Sequence, residues 1–258
     1  MHWNVTEYER FRSERARPFF DLVDRLPPGP YHSIIDLGSG TGELTRVLAE
    51  RHTGAVVLGV DNSPEMLAAA RPRGIPGRLQ FEAGDAARFR PAYPVDLIVS
   101  NATLHWVPDH TEVIPRLANA VGAHGVLAVQ MPANFDAPSH LLLRETAAEP
   151  AWAPRLHGVV RAEPVAPLTF YVDILTDLGF AVDAWETTYI HILTGPDPVL
   201  GWVRGTALRP VLDALDAHSA EAFVERFAEK LRAAYRAGRR GGTLFPFRRI
   251  FFIARRQS

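Results

Sequence analysis

The sequence predicts an α/β fold: a doubly wound, seven-stranded and mostly parallel sheet with a helical cap insertion. Three observations point there. Short apolar runs alternate with helical patterns between residues 33 and 131, as parallel strands buried on both faces require. The first run ends in DLGSGTG (36–42), where glycines allow a tight strand-to-helix turn and close approach of a ligand. After Met131 the alternation gives way to longer helical stretches and two more strand patterns.

The elements follow in order. Residues 6–25 have a helical pattern, with Phe11, Phe19, Leu22 and Val23 along one side, and PPGP (27–30) ends it. SIIDL (33–37) is the first strand, and residues 43–51 return to a helical pattern. AVVLGVD (55–61) is the second strand, and Ser63-Pro64 opens a helix with proline in its first turn. RLQFEAGD (78–85), VDLIVSNATL (95–104) and GVLAVQM (125–131) are the next strands, with a helix at 110–121 despite Pro115. Residues 138–148 and 168–180 read as helices, and glycine closes the second. Residues 181–193 alternate like a strand, and 197–238 are mostly helical. TLFPFRRIFFIARR (243–256) is the last strand, and Pro246 places its start near an edge.

Composition narrows the function. The 258 residues carry a net charge of -1, so no global field favours nucleic acid or an anionic membrane. Without cysteine there is no disulfide, thiolate zinc site or thiol chemistry. The histidines show no HExxH-type spacing, so no metal is expected. No apolar run approaches the roughly 20 residues of a membrane span, and the first residues lack a signal-peptide core. A cytoplasmic protein is expected.

The glycine turn discriminates among ligands. A phosphate loop needs GxxxxGK[ST], and no lysine stands here. A dinucleotide fingerprint needs G-x-G-x-x-G, and the spacing of Gly38, Gly40 and Gly42 is one residue short. Asp36 beside these glycines would also repel a pyrophosphate. An ammonium and a sulfonium suit that acid, and a carboxylate suits the helix N-terminus. S-adenosylmethionine has all three. Asp61 ends the second strand, where an acid can accept from both ribose hydroxyls. Asp85 stands just past the third strand, so three acids share one sheet edge.

On DLGSGTG the chain resembles the class I methyltransferases. The resemblance assigns Asp85 to the adenine amino group and adds Asn62, Ala86 and Asn101 to the cofactor pocket. S-adenosylhomocysteine is the implied product. The absence of [DN]PP[YF] after the fourth strand, where SNATLHW (100–106) stands, argues against an amino acceptor. Over nearly its whole length the chain is similar to the trans-aconitate methyltransferases. The likeness runs through Trp3, Asn4, Tyr8, Phe11, Arg15, Arg17 and Pro18, NATLHWVPDH (101–110), GVLAVQMP (125–132), Trp202 to Pro210 and FFIARR (251–256).

That resemblance implies methylation of a carboxylate of a small tricarboxylic acid, with no obligate protein partner. Such carboxylates are already ionised at neutral pH, so no general base is needed. Alignment falls to Asn101, His105 and Trp106. Arg209 leads the candidates for gripping the acid, followed by Arg15, Arg144 and Arg249, with Tyr8 beside them. The chain is divided as one domain: a helical lid (1–30), a cofactor half (31–132), a substrate half (133–193), a helical insertion (194–242) and a final strand (243–258). Competing readings are a carboxyl methyltransferase for malonyl-acyl-carrier protein, a non-catalytic binding domain, and a nicotinamide oxidoreductase.

Overall fold

The computed structural model describes residues 12–160, 164–238 and 241–257, with side chains from residue 16 onward. Helix α1 (Arg12–Val23) leads into the sheet. The parallel strands are β1 (Ser33–Leu37), β2 (Val56–Asp61), β3 (Leu79–Ala83), β4 (Val95–Asn101) and β5 (Val121–Pro132). Helices α2 (Glu43–Arg51), α3 (Pro64–Ala70) and α4 (His110–Ala120) connect them. The remaining helices are α5 (Pro138–Ala147), α6 (Ala153–Leu156), α7 (Leu168–Asp177), α8 (Pro198–Arg204), α9 (Arg209–Ala214) and α10 (Ala217–Ala234). Strands β6 (Phe180–Leu193) and β7 (Thr243–Arg256) complete a seven-stranded sheet of order β3-β2-β1-β4-β5-β7-β6.

Five strands run parallel, and β7 lies antiparallel between β5 and β6. The reversal has a consequence for the site. The carboxyl ends of β1 to β5 lie along one edge, and β7 brings Arg249 to that edge opposite Pro132. Pro246 sits in the first part of β7, upstream of its pairing with β5, where β6 is its strand partner through Ile190. At Pro246, β7 is therefore paired on one side only, although it is an internal strand.

Local departures from the sequence pattern have local causes. Strand β4 stops at Asn101 because Ala102 takes a positive φ of 53° and residues Leu104–Trp106 form a 3-10 turn. Strand β5 starts at Val121, directly after α4. The long helical pattern after residue 197 is three helices. Pro210 stands in the first turn of α9 and opens it. Asp216 then caps α10 by accepting from the Ser219 N–H at 2.9 Å.

The apolar residues collect into three cores. One packs α4 and α7 on the sheet face that carries Ile98, Leu127, Val129 and Phe252. The opposite face, with Leu97, Val99 and Phe251, is covered by α1 and α2 through Phe19, Leu22 and Leu48. The third belongs to the cap, where Leu143, Trp152, Trp202, Phe223 and Phe227 meet Phe245 and Phe247 of β7. Each buried leucine or phenylalanine contributes roughly 1.5–3 kcal/mol. The cap thus draws on two stretches of chain, 138–160 and 198–235, anchored on the start of β7. Among the described residues, no helix is long and apolar enough to cross a membrane.

Candidate active site: two cavities along one sheet edge

The turn after β1 builds the first part of the site. Gly38, Gly40 and Gly42 all have positive φ, at 87°, 54° and 77°. They differ in what surrounds them. A Cβ on Gly38 would lie 1.8 Å from Thr103 Oγ1, and one on Gly42 would lie 2.6 Å from the Phe81 ring. A Cβ on Gly40 would meet nothing within 4 Å. Gly42 therefore serves packing, and Gly40 leaves open space. Asp61 fixes the turn: its Oδ2 accepts from the Gly40 N–H at 2.8 Å, and its Oδ1 from the Ser63 N–H at 2.9 Å.

Asp36 sits beneath this turn, buried, and accepts from the Thr45 hydroxyl at 2.6 Å. Burial pushes its carboxyl up to about 6; the Thr45 hydrogen bond opposes this and the Asp61 charge adds to it. It does not line either cavity described below. Through Thr45 it is tied to the first turn of α2.

A cavity of about 580 Å³ opens over the carboxyl ends of β1, β2 and β4. Gly38, Gly40, Asp61, Asn62, Asp85 and Ala86 line it. Asp85 also accepts from the Ala87 N–H at 2.9 Å, which folds the loop after β3 around the carboxylate. A second cavity of about 150 Å³ lies between the sheet edge and the cap. Arg249, His105, Asn134, His140, Trp202 and Phe247 contribute to its wall. Asn101, Ala102 and Trp106 line both cavities, so the end of β4 is their common wall.

Among the described residues, the second cavity carries one arginine in its lining. The Arg249 guanidinium is buried, stands 4.6 Å from the centre of the Phe247 ring, and donates to Gln130 Oε1 at 3.3 Å. His105 is buried and packs on Trp106 with ring centres 4.7 Å apart. Burial, and then the charge of Arg144, push His140 down to about 4. His140 is therefore a neutral imidazole at physiological pH. Asn101 Oδ1 is buried and makes no hydrogen bond within the protein.

The other sequence-derived candidates are placed differently. Arg209 opens α9 half-buried, and its neighbours Thr206, Ala207 and Pro210 line the second cavity while Arg209 itself does not. Arg144 donates to the Phe135 carbonyl at 2.8 Å and is likewise not a lining residue. Tyr8 and the Arg15 side chain lie outside the described residues. Two tyrosines that were not among those candidates, Tyr171 and Tyr189, are engaged in the fold: Tyr171 meets His110 Nδ1 at 2.7 Å, and Tyr189 donates to Asp21 at 2.5 Å. Asn134 and His140 were missed by the sequence reading. For Asn134 the signal was position, since it stands two residues past the carboxyl end of β5, where ligands of such sheets bind. No group of three or more potential metal ligands occurs among the described residues.

Comparison with known proteins decides the family. A family described as a methyltransferase domain matches residues 34–125. The chain is 50% identical to a trans-aconitate 2-methyltransferase of Streptomyces avermitilis, covering 99% of this chain and 97% of that protein. It is 49% identical to the enzyme of the same name from Streptomyces coelicolor, over 98% of this chain and 86% of the other. The chain belongs to the trans-aconitate 2-methyltransferase family. Among solved structures, a SAM-dependent methyltransferase from Geobacter sulfurreducens in complex with S-adenosylhomocysteine shares the fold, with TM-score 0.55 and 19% identity. It covers 99% of this chain and is itself covered in full.

In this trans-aconitate 2-methyltransferase family member the first cavity fits S-adenosylmethionine. Gly40 leaves the room that a Cβ would occupy, Asp61 and Asp85 offer carboxylates to hydroxyl and amino groups, and Asn101 Oδ1 is an unused acceptor.

Proposed function

We propose that the protein methylates a carboxylate of trans-aconitate at the expense of S-adenosylmethionine, releasing the monomethyl ester. The observation that carries this reading is the common wall of Asn101, Ala102 and Trp106 between the two cavities. A donor on one side and an acceptor on the other meet there. The bound cofactor supplies an electrophilic methyl group; the chain supplies position.

Gly38, Gly40 and the ends of β2 and β3 hold the cofactor, with Asp61 toward the ribose and Asp85 toward the adenine. Arg249 grips an acid carboxylate in a charge-assisted pair. Asn101, His105 and Trp106 line the wall where the reacting oxygen must lie and restrict its approach. Proximity and orientation of this kind can lower a barrier by roughly 7–11 kcal/mol. No general base is required, because the attacking carboxylate is already ionised near neutral pH.

The test is transfer of labelled methyl from S-adenosylmethionine, with trans-aconitate, cis-aconitate, isocitrate and a malonyl thioester offered in parallel. Label should enter ester with trans-aconitate most rapidly. Faster labelling of the malonyl thioester overturns the choice of acceptor.

A further inference from the structure

We infer that Asn134 is a second anchor for the acceptor acid, its side-chain amide donating to a carboxylate that Arg249 does not hold. Three observations carry this. Asn134 lines the acceptor cavity and is only 2% exposed. Neither its Oδ1 nor its Nδ2 has a hydrogen-bond partner. The large majority of buried side-chain polar atoms are hydrogen-bonded, because desolvation is costly when the bond is unmade. An unpartnered amide in a cavity wall is therefore matched to a ligand group.

The backbone around Asn134 is held from three sides. The Ala133 N–H donates to the Arg248 carbonyl at 2.9 Å, tying the segment to β7 beside Arg249. The Ala137 N–H donates to the Asn134 carbonyl at 3.0 Å and closes the turn into α5. Arg144 reaches back from α5 to the Phe135 carbonyl at 2.8 Å. Arg144 thus acts on the turn that presents Asn134, which gives that arginine a positioning role. A side chain presented on a constrained turn can bind without a large ordering cost.

The chemistry suits a polyacid. One guanidinium can satisfy one carboxylate in its bidentate mode. A further carboxylate in a mostly apolar cavity needs a donor, and a neutral amide supplies one without adding charge. The remaining Oδ1 disfavours a carboxylate that enters in the reversed sense, since two acceptors would face each other. Asn134 is in this way a specificity-determining residue.

The inference rests on the acid acceptor proposed above, so the test reads binding separately from turnover. The protein saturated with S-adenosylhomocysteine is titrated with trans-aconitate by calorimetry, for the native chain, Asn134→Ala and Asn134→Asp. Asn134→Ala should weaken the acid about 10-fold, as loss of a hydrogen bond to a charged group does. Asn134→Asp should weaken it further through repulsion. The KM for the acid should rise in step, with kcat changed less than threefold and the affinity for S-adenosylhomocysteine unchanged. A structural role predicts the opposite: a lowered Tm and weakened cofactor binding, with the acid affected only in proportion. Unchanged acid affinity in Asn134→Ala overturns the inference. If the native chain neither binds nor methylates trans-aconitate, the acceptor reading fails by itself. The same variants are then titrated with cis-aconitate, isocitrate and citrate, and equal affinities across native and variant chains overturn the role of Asn134.

Discussion

The two cavities are neighbours but are built in different ways. The cofactor cavity is lined by residues from one continuous part of the chain, between Leu37 and Pro108. Its lining carboxylates, Asp61 and Asp85, stand at or just past successive strand ends, and the Gly40 and Ser63 N–H groups hold the Asp61 carboxylate in place. The acceptor cavity takes its wall from the end of β4, the turn after β5, the cap helices and the far strand β7. Its polar groups are side chains, among them Arg249, Asn134 and His140. A pocket built from one run of chain follows from a strand-loop-helix pattern, whereas one built from several depends on which distant segments the fold brings together.

The sharpest way to break this comparison is Arg249→Ala. It should lower kcat/KM for the acid by about 100-fold, the scale set by losing a buried charge-assisted pair. Cofactor affinity, measured by titration with S-adenosylhomocysteine, should stay within about twofold. Equal losses for both ligands would show that the cavities do not act separately. Arg249→Lys should recover only part of the loss, since lysine lacks the planar fork.

A second test uses pH, because each region holds a buried titrating group of opposite sign. Asp36 titrates at about 6 in the fold against an ordinary 3.8. Between those values the native state binds more protons than the unfolded chain, so its contribution to stability is lost as pH rises. His140 titrates at about 4 against an ordinary 6.5. Between those values the native state binds fewer protons, so its contribution is lost as pH falls. Each gap of about two pH units or slightly more is worth about 3 kcal/mol. Relative to the native chain, Asp36→Asn should therefore gain Tm as pH rises from 4 to 7. His140→Gln should gain Tm as pH falls over the same range. Parallel slopes in differential scanning experiments would contradict the placement of one of these groups.

The glycine turn offers a smaller contrast within the cofactor half. Gly38→Ala combines a positive φ with overlap onto Thr103 and should cost about 2–3 kcal/mol, read by urea unfolding. Gly40→Ala has the strained φ but open space, and should cost about 1–2 kcal/mol. It should nevertheless weaken S-adenosylhomocysteine at least 10-fold, because the added methyl enters the space left at Gly40. Undiminished cofactor affinity in Gly40→Ala would remove the turn from the cofactor's contact surface.

Much of the fold was legible. The alternation of apolar runs and helical patterns located β1 to β5, since parallel strands buried on both faces read as continuous apolar segments, and strand-type patterns after Met131 located β6 and β7. Errors fell at ends, where tertiary context decides. Strand β4 stops early because Ala102 turns into a positive φ, and no residue type at that position announces such a turn. In the candidate site, Asp61, Asn62, Asp85 and Ala86 were legible because each stands at a strand end. Asp36 was legible as part of the turn, but its burial beneath the turn was not. Arg209 led the candidate arginines on local composition, whereas among the described residues Arg249 is the arginine that lines the cavity. Local composition does not report which way an antiparallel strand delivers its side chains.

By itself the sequence determined the doubly wound sheet, the glycine turn with its acids, and, through likeness over nearly the whole chain, the family. Periodicity and turn chemistry act over a few residues, and a string of residues carries them directly. Only the tertiary structure decided the acceptor side. Strand β7 had to reverse between β5 and β6 to set Arg249 opposite Pro132, and Asn134 had to be clamped from β7 and α5. Those arrangements arise from packing between segments far apart in the chain, which local patterns do not encode.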